Sequence, residues 1–531
     1  MTMEHFPPLM FAGLIIFMLI GFPVAFSLAA LGLASGFLAI HMGWFPAAFM
    51  GNLPISIFSI LNNELLLAIP FFTFMGTILE KCGLAEDMLD SMGQLFGSHR
   101  GGIGYSVIIV GFILGAITGT VAGQVIAMAL ISLPVMMRYN YNMRYATGVL
   151  AASGTITQLV PPSLVLVVLA DQLGKPVGDM YKGAWGPSLL QVAMFLIYTF
   201  ALTRIKPDYL PAIPPADRSL QGWALWQKCL RGIIPSAILI FTVLGSMGGL
   251  PFQKTAIATP TEAGAMGVVG ALILAAMSRR LTPALIWDAM GGTMRLTAMV
   301  VFILIGSRVF SQVFQGVDGA KWVEHLLTGL PGGQVGFLIV VNLFVFFLAF
   351  FLDFFEIAFI IVPMLAPVAD KLGIDLIWFG VLLCVNLQTS FMHPPFGFAL
   401  FYLRGIADTL FKEKRIPRPV LSNDIYLGAI PWVCMQMLLV AVVIFVPQSV
   451  TMFLDDEVEI DVNKVVIDMP AEDPAPTAQA ANAANAANAA IVVSSPAGSA
   501  LGSQSAESRA AKAANKDADE EQKKIDELFK K

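Results

Sequence analysis

The fold of this chain is decided by two short segments, AASGTITQLVPPS at residues 151–163 and CVNLQTSFMHPPFG at residues 384–397. Each is rich in hydroxyl and amide side chains, lies in a long apolar stretch and ends close to a proline pair. Proline has no N–H, so helical carbonyls one turn earlier lose their partners, and a neighbouring glycine eases unwinding. We therefore predict two broken helices with many free oxygens and no fixed charge. The helix-breaking residues are Pro161, Pro162, Pro394 and Pro395.

The two segments are copies within an internal repeat. Pro161 and Pro394 are 233 residues apart, and the same offset relates Asn142 to Asp375. Each half holds five predicted spans and one hairpin, and this odd number of crossings places the halves in opposite orientations. Such an inverted repeat is the plan of secondary transporters, whose binding sites lie near the membrane midplane where broken helices meet. The predicted units are a first repeat at 1–203, a cytoplasmic linker at 204–231 and a second repeat at 232–447.

The composition excludes a soluble domain. Hydrophobic residues make up 57% of the 531 residues and charged residues only 13%, whereas soluble domains average about 25% charged residues. A spanning helix needs about 20 apolar residues, and we predict an all-α polytopic membrane protein with about ten transmembrane helices. Because only Gly21-Phe22-Pro23 separates the first two, one kinked helix over 9–41 is an alternative. The predicted spans are 9–22, 23–41, 64–81, 145–170, 187–203, 232–250, 261–278, 296–315, 376–400 and 428–447.

Two further apolar stretches differ from the spans. Residues 104–137 and 335–370 carry a small or charged interruption in the middle, GAITGTVAGQ in the first and FLDFFE in the second. We predict that both are re-entrant helical hairpins, because irregular backbone at membrane depth is tolerated only where it is buried in protein or lines a cavity. A broken helix follows each hairpin, at 145–170 and 376–400.

Charge is distributed unevenly along the chain. Residues 455–531 hold 15 of the 36 acidic and 8 of the 31 basic residues, so the net charge of −5 belongs to this Ala- and Asn-rich tail, which we predict to be disordered. The nearly neutral body gives no reason to expect a nucleic-acid partner. If the hairpins do not cross the bilayer, 17 basic residues of the body fall in inside loops and 4 in outside loops. This distribution follows the positive-inside rule and supports ten crossings with both termini outside.

The sequence lacks the motifs of common enzymes. It contains no HExxH zinc motif, no GxxxxGK[ST] phosphate loop and no recognisable pair of nucleophile and base. The four cysteines lie far apart in mostly apolar stretches and are interpreted as buried small hydrophobes. We therefore predict a transporter without a cofactor, neither an enzyme nor a subunit driven by ATP.

The oxygen-rich side chains at the two breaks predict ion binding. Hard cations prefer oxygen ligands, and Na+ is the cation that suits a secondary transporter. Proline kinks that only shape the packing are the alternative interpretation. The candidates at the breaks are Ser153, Gly154, Thr155, Thr157, Asn386, Gln388, Thr389 and Ser390.

Charged and amide side chains within the apolar body are further candidates for binding an ion or a substrate. Asp353 and Glu356 lie at the second hairpin tip, and carboxylates at membrane depth are costly enough to indicate function. Arg308 lies within a predicted span and either binds a substrate carboxylate in a bidentate contact or neutralises Glu262 or a tip carboxylate. The substrate candidates are Gln124, Gln158 and Arg308.

Four motifs follow one another within about residues 8–447: GFPVAF at 21–26, GTITQLVPPS at 154–163, ATPTEAGAMGVVGAL at 258–272 and NLQTSFMHPPFGFALF at 386–401. In this order the chain resembles the large membrane subunit of tripartite ATP-independent periplasmic (TRAP) transporters. The resemblance implies a Na+-coupled importer of organic anions in the bacterial inner membrane, with the scaffold and transport domains of an elevator. It also implies a small four-helix membrane subunit and a soluble periplasmic binding protein as partners.

The resemblance also implies two Na+ sites, each made of a hairpin tip and a break. The first comprises Thr118, Gly119, Thr120 and the break from Ser153 to Thr157, and the second comprises Asp353 and the break from Asn386 to Ser390. Both tips depart from the family pattern, since Gly-Thr-Val replaces Gly-Ser-Ser and Leu-Asp-Phe replaces Met-Asp-Pro. FLDFFE is similar to the branch of mannitol, chloroaromatic and 2-oxo acid systems. A stand-alone Na+/carboxylate carrier of the same superfamily, which needs no binding protein, is the alternative function.

Overall fold

The computed structural model describes residues 3–218, 222–395 and 397–454, and within these ranges the regular structure is helical. This confirms the all-α prediction, while the predicted tail at 455–531 lies outside the described residues. The helices of the first half are Met3–His5, Phe6–Ile20, Val24–His41, Ala47–Asn52, Leu53–Leu61, Glu64–Lys81, Leu84–Phe96, Gly102–Thr118, Val121–Arg138, Met143–Thr155, Ile156–Gln158, Leu164–Leu173, Val177–Ile205, Pro207–Tyr209 and Pro215–Asp217. Those of the second half are Trp223–Ser246, Pro260–Met277, Pro283–Gly316, Gly319–Thr328, Gly333–Leu348, Phe354–Glu356, Ile357–Ile361, Val362–Lys371, Leu376–Ser390, Phe398–Lys412, Ser422–Phe445 and Gln448–Thr451.

Many of these helices are long and apolar enough to cross a membrane. Seven qualify alone, and up to nine spans result if each of two bent helix pairs counts as one. The chain is therefore a polytopic membrane protein. The number falls below the ten predicted spans because the two broken helices are divided into short pieces and Phe6–Ile20 has only 15 residues. One of the seven, Val121–Arg138, is the returning arm of the first predicted hairpin.

The N-terminal apolar region forms two separate helices. Gly21 has a φ of +90° and ends the first helix in the left-handed conformation that glycine adopts at little cost. A Cβ built on Gly13 would lie 3.3 Å from Leu31 Cδ1, although these positions would be about 27 Å apart along one continuous helix. Residues 9–41 therefore turn back on themselves, and the alternative of one kinked helix is wrong.

The first hairpin consists of Gly102–Thr118 and Val121–Arg138, joined by a two-residue turn. Gly119 in this turn has a φ of +63°, which reverses the chain. At the open end, the N–H of Ile103 donates to the hydroxyl of the buried Tyr141 (3.3 Å). The two ends of the hairpin therefore meet, as expected of a segment that enters and leaves a membrane on one side.

The second hairpin starts with Gly333–Leu348 and returns through Val362–Lys371, with a helical turn and a π-helical turn after its tip. Its open end is closed in the same manner, because Gln334 Nε2 donates to the carbonyl of Leu372 (2.8 Å). Both predicted hairpins are thus present as doubled-back helix pairs.

The first broken helix comprises Met143–Thr155 and Leu164–Leu173, and the second comprises Leu376–Ser390 and Phe398–Lys412. The break in each lies at the proline pair, as predicted, and the bond between the two prolines is cis. The second broken helix continues to residue 412, beyond its predicted end at residue 400. In both helices nearly every side chain before the break is buried, so the broken helices form the core of the molecule.

Matched N-caps begin the two broken helices. Asn142 Oδ1 accepts from the N–H of Arg144 (3.0 Å), and Asp375 Oδ1 accepts from the N–H of Trp378 (2.6 Å). Such caps satisfy N–H groups that have no partner within the first turn of a helix. Because Asn142 and Asp375 are related by the repeat offset, the two halves share this hydrogen bond as well as their sequence spacing.

The segment predicted as a cytoplasmic linker, residues 204–231, contains the start of a helix. One helix ends at Ile205, and the next begins at Trp223, within the predicted linker at 204–231. Lys228 belongs to the predicted linker, lies on this helix and forms an ion pair with Asp90 (2.5 Å). The first turns of this helix therefore lie within the predicted linker.

Candidate functional site

A cavity of about 340 Å³ lies between the tips of the two hairpins. Its lining combines Gly119 and Thr120 from the first tip with Asp353 from the second. The breaks contribute Gln158 and Phe391. Elements predicted to meet at the centre of an inverted repeat therefore do meet there, around a space that could hold a small molecule.

Gln124 joins the first hairpin to the first break. Its Nε2 donates to the carbonyls of Gly111 (2.6 Å) and Ser153 (2.9 Å). Its Oε1 accepts from Thr157 Oγ1 (2.8 Å). A buried amide whose nitrogen and oxygen both form hydrogen bonds fixes the position of the groups around it. The structure thus places this substrate candidate, within the described part of the chain, behind the cavity wall instead of in it.

Small residues let the first hairpin approach the first broken helix closely. A Cβ built on Gly154 would lie 2.1 Å from Val125 Cγ2, and one built on Gly111 would lie 2.7 Å from Ser153 Cβ. Close approach of backbones at small residues is a common way to pack helices in membranes. Gly154 therefore serves packing, in addition to the unwinding predicted for it.

Two oxygens at the first break are buried without a hydrogen-bond partner among the described residues: Ser153 Oγ and Gln158 Oε1. Such groups are uncommon and costly, and they are the kind of ligand that a bound Na+ would use. The backbone carbonyl of Gln158, which the sequence predicts to be free, instead accepts from Ser163 Oγ (2.5 Å) and Cys384 Sγ (3.0 Å). Since Cys384 lies on the second broken helix, this contact joins the first break directly to that helix.

The second break is attached to the second hairpin through the backbone. Asn386 Nδ2 donates to the carbonyl of Asn342 (2.7 Å), and Ser390 Oγ donates to that of Phe346 (3.4 Å). Asn342 Oδ1 is buried without a hydrogen-bond partner among the described residues. Thr389 Oγ1 donates back to the carbonyl of Val385 (3.2 Å), within its own helix. The polar side chains named in the second break are therefore satisfied, and the buried free oxygen beside them belongs to Asn342 on the hairpin.

Each break is also held by a glutamine from the last long helix of the other repeat. Gln436 Nε2 donates to Thr155 Oγ1 in the first break (3.1 Å). Gln191 and Gln388 exchange two amide hydrogen bonds of 3.0 Å in the second break. Thr155 and Gln388 are separated by the repeat offset of 233 residues, so equivalent positions of the two breaks are held by contacts that cross between the repeats.

The carboxylates of the second tip hydrogen-bond to their own backbone. Asp353 Oδ1 accepts from the N–H of Phe354 (2.7 Å), and Glu356 Oε2 accepts from the N–H of Asp353 (2.9 Å). This reciprocal arrangement is a capping box, which fixes the start of the helical turn. Asp353 also lines the cavity, whereas Glu356 does not appear among its lining residues.

The structure does not bring Arg308 to the cavity between the tips. It places this residue at a second space of about 140 Å³, which Asn63 and Asp171 also line. Asn63 Nδ2 donates to Asp171 Oδ1 (2.9 Å). Met299 lines the first cavity from the same helix, and nine helical residues separate it from Arg308 by about 14 Å. The proposed neutralisation of a tip carboxylate by Arg308 has no counterpart among the described ion pairs.

The predicted first Na+ site is only partly assembled. Gly119 lies against Leu164, beyond the break, whereas Gly115, one turn earlier, lies against Thr157. Thr118 ends the first arm of the hairpin, but its side chain lies outside the described residues. The break residues and the tip are therefore neighbours in the structure without forming one cluster.

Three polar residues of the site have no place in the sequence-based prediction. Tyr402 brings a phenol to the cavity, and Gln191 and Gln436 hold the breaks. Gln191 and Gln436 each lie in a largely apolar helix, and this pattern indicates a hydrogen bond to another element, because a buried amide needs a partner. The sequence does not indicate which partner that is.

Comparisons with known proteins agree with this architecture. Residues 11–449 match the family described as the tripartite ATP-independent periplasmic transporter, DctM component. The chain is 25% identical over 433 residues to the 2,3-diketo-L-gulonate TRAP transporter large permease protein YiaN of Escherichia coli (strain K12), covering 81% of this chain and 95% of the relative. It is 27% identical over 465 residues to the C4-dicarboxylate TRAP transporter large permease protein DctM of Vibrio cholerae serotype O1, covering 83% and 95%.

The fold has also been seen in a solved structure. The crystal structure of the Alcanivorax borkumensis YdaH transporter matches with a TM-score of 0.51 and 14% sequence identity, covering 83% of this chain and 97% of that one. The relatives are named as transport permeases, which supports a transporter over an enzyme. With a family match over nearly the whole membrane body, the chain belongs to the DctM component family of tripartite ATP-independent periplasmic transporters.

Proposed function

We propose that the chain is the large membrane subunit of a Na+-coupled importer of small carboxylates in the bacterial inner membrane. The importer would work with a small four-helix membrane subunit and a periplasmic binding protein, as the word tripartite in the family description suggests. The V. cholerae relative is named for C4-dicarboxylates and the E. coli relative for 2,3-diketo-L-gulonate. Both are organic anions, which supports the substrate class.

The charge of the cavity between the tips carries the proposal. Among the described residues that line it there is no Lys or Arg, and Asp353 is acidic. A carboxylate in such a cavity needs positive charge from elsewhere, because an uncompensated ion in a low-dielectric space is strongly disfavoured. Na+ held by the buried oxygens of the breaks would supply it. Ion and substrate would then bind together, which is the basis of symport.

Alternating access would follow an elevator mechanism. The hairpins and broken helices are tied to one another by Gln124, Asn386 and Cys384. These ties support a single moving unit, which would carry the cavity past the remaining helices. No step of this motion needs a cofactor.

Reconstitution tests the proposal as a whole. Both membrane subunits are placed in liposomes, and uptake of a labelled C4-dicarboxylate is measured with the binding protein present. Uptake should require an inward Na+ gradient and should fall to background when K+ replaces Na+. Full uptake without a Na+ gradient would refute the coupling. Full uptake without the binding protein would indicate the stand-alone carrier instead.

Ser153 offers a direct test of the ion site. Replacement of Ser153 by Ala removes one buried free oxygen and should raise the Na+ concentration for half-maximal uptake about tenfold, which corresponds to about 1.4 kcal/mol. Thr73→Ala is the matched control, because Thr73 Oγ1 is also buried without a partner among the described atoms but lies outside hairpins and breaks. An equal response of both variants would remove Ser153 from the ion site.

A further inference from the structure

A groove of about 810 Å³ lies away from the transport cavity, at the start of the first hairpin. It is bounded by the end of Leu84–Phe96, the first turns of Gly102–Thr118 and the end of Val177–Ile205. One end of the groove is basic, with His99, Arg100 and Arg204. The remaining wall is largely apolar and includes Ile109, Ile197 and Phe200.

The basic end has no counter-charge among the residues that the structure describes. Neither Arg100 nor Arg204 takes part in any ion pair of the described residues, and no carboxylate lines the groove within that part of the chain. Their backbones are close together, because a Cβ built on Gly101 would lie 2.7 Å from Thr203 Cγ2. Two arginines that line one groove without acidic partners among the described residues can together receive an anion with several oxygens, such as a phosphate group.

The apolar wall places this receptor at the edge of the bilayer. Val177–Ile205 is a membrane-spanning candidate, and on it Ile197 and Phe200 are 65% and 52% exposed. Large apolar side chains with this exposure on a spanning helix face the hydrocarbon. Arg204 follows one turn later, with its guanidinium carbon 5.2 Å from the centre of the Phe200 ring. Its charge therefore lies at the level of the lipid headgroups.

We propose that this groove binds an anionic phospholipid. The phosphodiester would contact Arg100 and Arg204, and an acyl chain would lie along Ile197 and Phe200. A free phosphate ion would satisfy the arginines but would leave the apolar wall without a ligand, so the combination favours a lipid. Basic pockets between helices near the cytoplasmic surface are a known way to recognise anionic headgroups. The lipid would connect the helix Leu84–Phe96 to the last helix of the first repeat.

Thermal unfolding of the purified protein in a neutral detergent tests the proposal independently of transport. Phosphatidylglycerol should raise the melting temperature, whereas phosphatidylcholine and inorganic phosphate should not. The double variant Arg100→Gln/Arg204→Gln should lose most of this shift. Arg295→Gln/Arg418→Gln is the charge-matched control, because both residues are exposed and lie outside the groove, and it should retain the shift.

Three outcomes would overturn the lipid site. These are an equal shift with phosphatidylcholine, an equal shift with inorganic phosphate, and an undiminished shift in the groove variant. Native mass spectrometry gives a second measurement should the variant prove unstable. The wild-type protein is expected to retain phosphatidylglycerol at a collision energy that removes phosphatidylcholine, and loss of both lipids at the same energy would contradict the proposal.

Discussion

Gln124 shows how much one side chain contributes to the site. Replacement by Met keeps the length of the side chain but leaves two backbone carbonyls and the Thr157 hydroxyl without this partner. A buried polar group that loses its partner costs about 1–3 kcal/mol. We therefore expect Gln124→Met to lower the melting temperature of the purified protein by several degrees.

The exposed Gln448 provides the control for this substitution, since it lies at the start of a short helix after the last span. Gln448→Met should melt like the wild-type protein. If Gln124→Met also melted like the wild type, the three hydrogen bonds would contribute little to holding the hairpin on the break.

The contact between hairpin and broken helix depends on the absence of a side chain at Gly154. A methyl group there would overlap Val125, because the built Cβ lies 2.1 Å from Val125 Cγ2. Gly154→Ala should therefore separate the two elements and reduce uptake at least several-fold. The double variant Gly154→Ala/Val125→Ala should recover part of the activity, since it returns the missing space. Failure of the second substitution to help would show that Gly154 acts through its backbone conformation instead.

The crossed glutamine contacts make a prediction about how the repeats stabilise each other. Gln191→Leu or Gln388→Leu alone leaves one buried amide without its partner, and each should lower the melting temperature. The double variant should lose less than the sum of the two, because it removes both amides together. Gln191→Leu combined with Gln448→Leu should be additive, and additivity in both pairs would mean that the reciprocal contact is not energetically coupled.

At the level of elements, sequence reasoning finds what is encoded locally. The proline pairs, the glycine-rich tip and the shared offset of Asn142 and Asp375 indicate breaks, hairpins and matched caps without any tertiary information. The ion-pair partner of Lys228, Asp90, comes from a distant helix, so the local sequence does not indicate it. The same limit applies to Gln124, whose contacts with Ser153 and Thr157 form only when hairpin and broken helix pack. The positions of the helix breaks are thus predictable from the sequence, whereas the hydrogen-bond and ion-pair partners of the polar side chains are not.

For the molecule as a whole, the division into a moving and a fixed part can be tested by cross-linking across the cavity. Met299 lies on Pro283–Gly316 and Tyr402 on the second broken helix, and both line the cavity between the tips. If the broken helix moves past Pro283–Gly316, a short thiol-to-thiol cross-link between Met299→Cys and Tyr402→Cys should stop uptake. Its yield should also change when Na+ and substrate are added, because they alter the population of the two positions.

Two controls belong to this experiment: removal of the accessible native cysteine, and a second pair of introduced cysteines whose distance should not change. Cys434 is the one exposed cysteine among the described residues and would be replaced by Ser. Gln334→Cys/Leu372→Cys is the control, because Gln334 Nε2 donates to the carbonyl of Leu372 (2.8 Å) at the open end of one hairpin and the two positions should move together. Cross-linking this control should leave uptake unchanged relative to the single-cysteine variants. Full uptake with the Met299–Tyr402 pair completely cross-linked would exclude relative motion of the two elements, and with it the elevator mechanism for this chain.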